Sequence, residues 1–242
     1  MPTSRLVLWD IDHTLIQTGG VGSKGFKAAF KAATGRDLEN VPDPTGKLEP
    51  ALFTAACAEN GIQVTPAVFS AFAEAQEQEY RNRADDLAQR GRVLPGVREL
   101  LAELSETPGV VQTVLSGNTL RSGRAKLELF GLDHWLDYSC AVGGEDAENR
   151  PGLVAVAWDR AQRIHGHRYS PGDTVVIGDT PADVDAALRN DCRIVAVATG
   201  TTPAETLVEA GAGVVLPDFA DRQRALAAIL STSPSNNSPS HR

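Results

Sequence analysis

Beyond Leu94-Pro95-Gly96 the chain alternates between short apolar runs and segments of helical period, and this alternation narrows the possible folds more than any other feature. The apolar runs fall at 110–115, 138–142, 174–177, 193–198 and 213–216; helix-patterned segments flank them at 97–104, 121–130, 151–164, 182–189, 203–210 and 222–230. Runs that are apolar throughout suit strands covered on both faces. A helix between successive strands supplies the crossover that parallel pairing needs. The pattern predicts an α/β chain with a doubly wound parallel sheet and helices on both of its faces.

One further run, Leu6-Val7-Leu8-Trp9, stands far upstream of the others. Between it and Leu94 the period is helical. Phe26, Phe30 and Ala33 share one face, Leu52, Ala55 and Ala56 another, and Val68, Phe72, Ala75 and Glu79 a third. Val41-Pro42-Asp43-Pro44-Thr45-Gly46-Lys47 must be a loop between two of these helices. The chain therefore reads as a core domain, 1–17 and 93–230, interrupted after its first strand by a helical insertion, 18–92. Gly19, Gly20 and Gly22 are candidate hinges, and the Ser/Pro/Asn-rich segment 231–242 is expected to be a disordered tail.

Composition excludes several classes. Apolar residues are 42% of the 242, enough for a sizeable core and too many for a disordered chain. No apolar run approaches the ~20 residues of a membrane span. The first residues lack the apolar stretch of a secretory signal, so a soluble cytoplasmic protein is expected. Cys57, Cys140 and Cys192 are too few and too scattered for a disulfide framework or a paired metal motif. A net charge of -8 argues against a nucleic-acid groove, which needs clustered Lys and Arg. An anionic substrate stays open, because a bound cation can reverse the local field.

In doubly wound sheets ligands bind outside the carboxyl ends of the strands. Here those ends carry Asp10-Ile11-Asp12-His13-Thr14, Ser116-Gly117-Asn118 and Gly178-Asp179-Thr180-Pro181-Ala182-Asp183. Four Asp residues are thereby expected to converge at one edge. Like charges repel, so folding alone gives no reason to assemble them, whereas Mg²⁺ takes oxygen ligands of this kind. An extended Asp-x-Asp points both side chains to one side. Asp10 can then attack phosphorus while Asp12 protonates the leaving oxygen and later activates water. Ser116, Gly117 and Asn118 can hold phosphoryl oxygens.

Asp10-x-Asp12-x-Thr14, Ser116-Gly117-Asn118 and Gly178-Asp179-x-x-x-Asp183, in this order, resemble the motifs of the haloacid dehalogenase superfamily over roughly residues 5 to 230. The resemblance implies a Rossmann-like core with the insertion as a mobile cap. It implies that Asp10 is nucleophile and metal ligand, that Asp12 is acid/base and ligates through its backbone carbonyl, and that Asp179 is the other protein ligand. It further implies that Asp183 supports the metal site and that Thr14 and Ser116 lie among the phosphate-binding residues. The family's Lys between the second and last motifs is replaced by Arg150, before Pro151, with Lys126 as the fallback. His13 stands where many members have Gly.

These features lead to a Mg²⁺-dependent phosphomonoester hydrolase acting on a small phosphorylated metabolite, phosphoglycolate first and sugar phosphates next. It is expected to act as a monomer or homodimer. A β-phosphoglucomutase-like phosphotransferase shares all the motifs and stays open. A 2-haloacid dehalogenase is disfavoured by Asp12 and Asp179, and a phosphonatase has no recognisable Schiff-base Lys among Lys24, Lys27, Lys31 and Lys47. A non-catalytic metal- or phosphate-binding protein is the remaining alternative. Lys47 could reach a substrate head group from the insertion.

Overall fold

The computed structural model describes residues 4–231, so the expected tail lies, beyond Ser231, outside the described residues. The chain order is β1 (Arg5–Trp9), β2 (Ile16–Gln17), α1 (Val21–Thr34), α2 (Glu49–Glu59), α3 (Pro66–Asn82), α4 (Ala84–Arg90), β3 (Arg92–Val93), α5 (Val97–Glu106), β4 (Val110–Val114), α6 (Leu120–Leu129), α7 (Arg150–His165), β5 (Thr174–Gly178), α8 (Pro181–Leu188), β6 (Arg193–Val197), α9 (Ala204–Glu209), β7 (Val215–Leu216) and α10 (Arg222–Leu230). Among the described residues no helix is long and apolar enough to cross a membrane.

A five-stranded sheet runs β4-β1-β5-β6-β7, and every pair in it is parallel. Strand period explains its two-sided core. Val7 and Trp9 of β1, Val175 and Ile177 of β5, and Val195 and Val197 of β6 pack in one cluster. Leu6 and Leu8, Val176, and Ile194 and Ala196 pack in the other. β1 lies between β4 and β5, so the chain switches direction across the sheet at its carboxyl end, where a crevice opens. The apolar stretch 138–142 does not form the strand its composition suggests. Only Val142 reaches the sheet edge, in a single bridge to Leu115, before Gly143 and Gly144 turn the chain away.

β2 and β3 pair antiparallel, Ile16 with Val93 and Gln17 with Arg92, so the chain enters and leaves the insertion side by side. Two-residue strands carry no period, and this ribbon is invisible in the sequence pattern. The insertion packs on its own cluster, with Phe26, Phe30, Phe53 and Phe72 at its centre and Phe53 and Phe72 ring centroids 4.4 Å apart. Burying a Phe contributes about 2 kcal/mol, so these rings are the main source of its cohesion. In α2 the inward face is Leu52, Phe53, Ala56 and Cys57; Ala55, expected inside, is exposed because at 3.6 residues per turn it falls on the far side of Leu52 from Phe53 and Cys57. α4 follows α3 after a break at Arg83 alone. Gly19 and Gly20 lie at the crossing with positive φ of 59° and 86°, whereas Gly22 belongs to the first turn of α1.

Candidate active site

Strand pairing places Asp10. Its amide donates to Ile177 O at 2.9 Å on the β5 side, while Leu115 N donates to Trp9 O at 2.8 Å on the β4 side. The strand then stops. Ile11 O accepts amides from Thr14, Leu15 and Ile16 in a tight turn, and His13 adopts φ 61°, the left-handed region that Gly occupies at least cost. Asp12 therefore leaves the strand direction, yet Asp10 and Asp12 line the same cavity.

The four expected carboxylates do not form one group. Asp10, Asp179 and Asp183 do, with one oxygen of each within 4.8 Å of the others and all three side chains buried. Arg150 Nη2 sits 2.7 Å from Asp10 Oδ1 and 2.6 Å from Asp183 Oδ1. Ser116 Oγ donates to Asp10 Oδ1 at 2.9 Å. Burial pushes the Asp10 carboxyl up to about 6; Arg150 opposes this, and the charges of Asp183 and Asp12 add to it. Burial, then the charges of Asp10 and Asp183, push Asp179 up to about 8. Three buried carboxylates thus share one guanidinium. An all-oxygen donor set short of positive charge fits a hard divalent cation such as Mg²⁺.

Asp12 is drawn elsewhere. Its Oδ2 accepts from Lys126 Nζ at 2.6 Å and from Asn118 Nδ2 at 2.8 Å, and Lys126 also donates to Asn118 Oδ1 at 2.6 Å. Burial works against its ionisation, but the Lys126 charge and these hydrogen bonds outweigh it and hold the carboxyl below its ordinary range. The Asp12 side chain is therefore not part of the three-carboxylate cluster. Arg150 and Lys126 are likewise not alternatives: one serves Asp10 and Asp183, the other Asp12.

Local structure explains the placement. Asn149 caps α7 by accepting from Gly152 N at 3.0 Å, which sets Arg150 in the first turn, aimed at the strand ends. Thr180 caps α8. Its amide and hydroxyl donate to Asp183 Oδ2 at 3.0 and 2.7 Å, so Asp183 closes a capping box and still offers its other oxygen to Arg150. Gly178 is obligatory there, since a Cβ would fall 2.1 Å from the Asp183 carboxyl carbon. Thr14 is fully buried and donates to Asp179 Oδ1 at 3.3 Å. It stands behind Asp179 and not among the cavity-lining residues.

A cavity of about 660 Å³ separates the strand ends from the insertion. Ser116, Gly117, Asn118, Lys126, Arg150 and Asp179 line its floor, and His13 and Lys47 reach its rim with exposed side chains. The loop carrying Lys47 presses on the floor: a Cβ on Gly117 would lie 2.4 Å from Lys47 O. Glu49 N donates to Gly117 O at 2.7 Å, and Thr119 N donates to Glu49 Oε2 at 2.7 Å. Sequence reasoning missed Glu49, Gln76 and Tyr80, all buried at this junction. Glu49 before Pro50 reads only as a helix-start acid, and the other two sit in a charged helix with nothing to mark them.

The family model described as haloacid dehalogenase-like hydrolase matches residues 7–188. No curated protein matches the chain. Among solved structures, a predicted phosphoglycolate phosphatase from Haemophilus somnus 129PT is 20% identical, with a TM-score of 0.64 over 93% of this chain and 99% of that one. A hydrolase from Pseudomonas syringae is 22% identical, with a TM-score of 0.65 over 94% and 100%. CbbY from Rhodobacter sphaeroides, solved in complex with phosphate, is 19% identical, with a TM-score of 0.67 over 90% and 96%. At these identities the likeness is one of fold.

Proposed function

The chain belongs to the haloacid dehalogenase-like hydrolases, and from that premise we propose that it is a Mg²⁺-dependent phosphomonoester hydrolase working through a phosphoryl group carried on Asp10. The observation that carries this reading is the division of charge at the cavity floor. A nucleophile-bearing cluster (Asp10, Asp179, Asp183, Arg150, Ser116) stands beside a separate proton-handling pair, Asp12 and Lys126.

Asp10, Asp179 and the backbone carbonyl of Asp12 would hold the metal, with Asp183 behind them. Mg²⁺, when bound, supplies neutralisation of charge on the transferring phosphoryl group. Arg150, Ser116 and the amides of Gly117 and Asn118 orient the phosphoryl oxygens. An Asp10 oxygen bonds to phosphorus as the bond to the leaving oxygen breaks, and Asp12 gives that oxygen a proton. Because Lys126 and Asn118 hold Asp12 ionised at rest, the proton arrives with the substrate, whose monoester phosphate has a second pKa of about 6. Water then attacks the aspartyl phosphate, Asp12 takes a proton from it, and the phosphorus–Asp10 bond breaks to release phosphate.

The insertion serves as the cap. Docked through Glu49 and the Lys47 loop, it shields the floor from solvent, and the β2–β3 ribbon with Gly19 and Gly20 is its hinge. The enclosed volume suits a small metabolite, phosphoglycolate or a sugar phosphate. The test is phosphate release from p-nitrophenyl phosphate and a metabolite panel, with Mg²⁺ or EDTA, for the wild type and Asp10→Asn. Mg²⁺-dependent turnover that falls at least about a thousandfold in the variant is expected. Undiminished turnover in Asp10→Asn overturns the mechanism, and interconversion of glucose phosphates without phosphate release replaces the hydrolase by a mutase.

A further inference from the structure

Among the described residues a second group of metal-ligating side chains lies away from the cavity. Asp137, Cys140 and His165 each bring one ligand atom within 4.8 Å of the other two, and none of them lines the cavity. Two segments meet there. The first is tied to β4: Asp137 N donates to Gln112 O at 2.8 Å, and Thr113 Oγ1 donates to Asp137 O at 2.7 Å. Asp137 Oδ1 then accepts from Ser139 N at 2.9 Å, a turn that brings Cys140 Sγ to 3.6 Å from Asp137 O. The second is the end of α7. Gly166, at φ 66°, stops the helix just past His165, whose Nε2 lies 2.8 Å from Asp137 Oδ2. The imidazole and the carboxylate are 28% and 31% exposed, and Cys140 is fully buried.

An ion pair accounts for two of these groups and core packing for the third. Neither accounts for a carboxylate, an imidazole and a thiol converging on one point. Hard cations such as Mg²⁺ take oxygen ligands, whereas imidazole and thiolate select zinc and its neighbours. Zinc bonds of about 2.0 Å to nitrogen and oxygen and about 2.3 Å to sulfur put tetrahedral ligands roughly 3.3–3.8 Å apart, so the three atoms close on an ion by shifts of at most about 1 Å. At such bond lengths the ion takes the place of the protons between its ligands and not of a water, so the buried thiol is within its reach. The exposed His165–Asp137 side is the entrance and leaves the fourth position to water.

The protons balance. Burial pushes the Cys140 thiol up to about 11, so it carries its proton until an ion arrives. Binding forms the metal–sulfur bond and releases that proton to solvent. His165 offers the Nε2 lone pair with its ring proton on Nδ1. Burial opposes ionisation of Asp137, but Ser139 and His165 outweigh it and hold the carboxyl below its ordinary range.

We infer that Asp137, Cys140 and His165 form a site for a borderline divalent cation, zinc in chemical class, that clasps the segment after β4 to the carboxyl end of α7. The site is separate from the Mg²⁺ chemistry of the cavity and does not rest on the hydrolase reading.

The test is a Co²⁺ titration of the full chain in excess Mg²⁺, followed by near-ultraviolet absorption. A thiolate bound to Co²⁺ gives a charge-transfer band, and the carboxylates at the cavity floor have no sulfur to offer. Wild type should develop the band and lose it on addition of Zn²⁺, which binds more tightly than Co²⁺ at such ligands. Asp10→Asn and Cys57→Ser should keep it, and Cys140→Ser should abolish it. His165→Ala should raise the Co²⁺ Kd at least about tenfold. No band in the wild type, or a band that survives Cys140→Ser, overturns the site. Should Cys140→Ser not fold, His165→Ala decides, because it alters a partly exposed side chain at a helix end; an unchanged Kd there overturns the site as well.

Discussion

Replacing Asp179 by Asn should stabilise the metal-free protein. The side chain is 3% exposed, within ligand distance of Asp10 and Asp183, and its carboxyl is pushed from an ordinary 3.8 up to about 8. Near pH 7 the unfolded chain carries this group ionised, while the fold forces a proton onto it. That uptake costs at most about 4 kcal/mol, at about 1.4 kcal/mol per pH unit. The penalty belongs to the Asp10–Asp179 pair and is eased by relaxation, so about 2 kcal/mol falls to this substitution. Asn keeps an acceptor for Thr14 Oγ1, which donates at 3.3 Å. For a chain of this length about 2 kcal/mol raises Tm by roughly 4–8 °C. Thermal unfolding followed by circular dichroism in EDTA reads this directly. In excess Mg²⁺ the order should reverse, because the wild type gains about 2.7 kcal/mol at a hundredfold excess over Kd and the variant gains little. A variant less stable than wild type in EDTA, or equal stabilisation of both by Mg²⁺, would refute the repulsion reasoning.

Other outcomes follow from the same geometry. Asp10 and Asp179 bind protons more tightly folded than unfolded, so stability in EDTA should be greatest below about pH 4 as far as these groups go. It should fall as pH rises through about 6 and about 8, with Mg²⁺ flattening the profile in urea titrations. Asp183→Ala removes the α8 cap and half of Arg150's charge partners, and should cost about 3–5 kcal/mol in the denaturant midpoint. Gly117→Ala drives a Cβ into Lys47 O, 2.4 Å away, and should raise KM severalfold through a displaced loop while Tm changes little.

The legible parts of this molecule are those written in local chemistry. Trp9, Ile177 and Val114 announce strands because apolar runs of that length have few other uses, and Asp10, Ser116 and Asp179 follow them by chain connectivity alone. Pro151 marks the start of α7, and with it the place of Arg150. By contrast, Gln17 and Arg92 pair across the insertion with no periodic trace. Thr14, which the motif sets beside the phosphate, is turned behind Asp179 by the tight turn on Ile11. Gly200 is tied to Asp179 just as obscurely: a Cβ there would fall 1.9 Å from Asp179 Oδ2.

The sequence by itself determined the sheet, its helical interruption and the set of acids at the strand ends, because strand and helix periods and residues adjacent to a strand are local properties. Only the tertiary structure decided how those acids are shared. Arg150 and Lys126 lie 24 positions apart in the chain, and each selects its carboxylate through distances that no spacing rule contains. The partnership of Glu49, Gln76 and Ser122 was decided there too, since hydrogen bonds between insertion and core exist only once the two surfaces are packed.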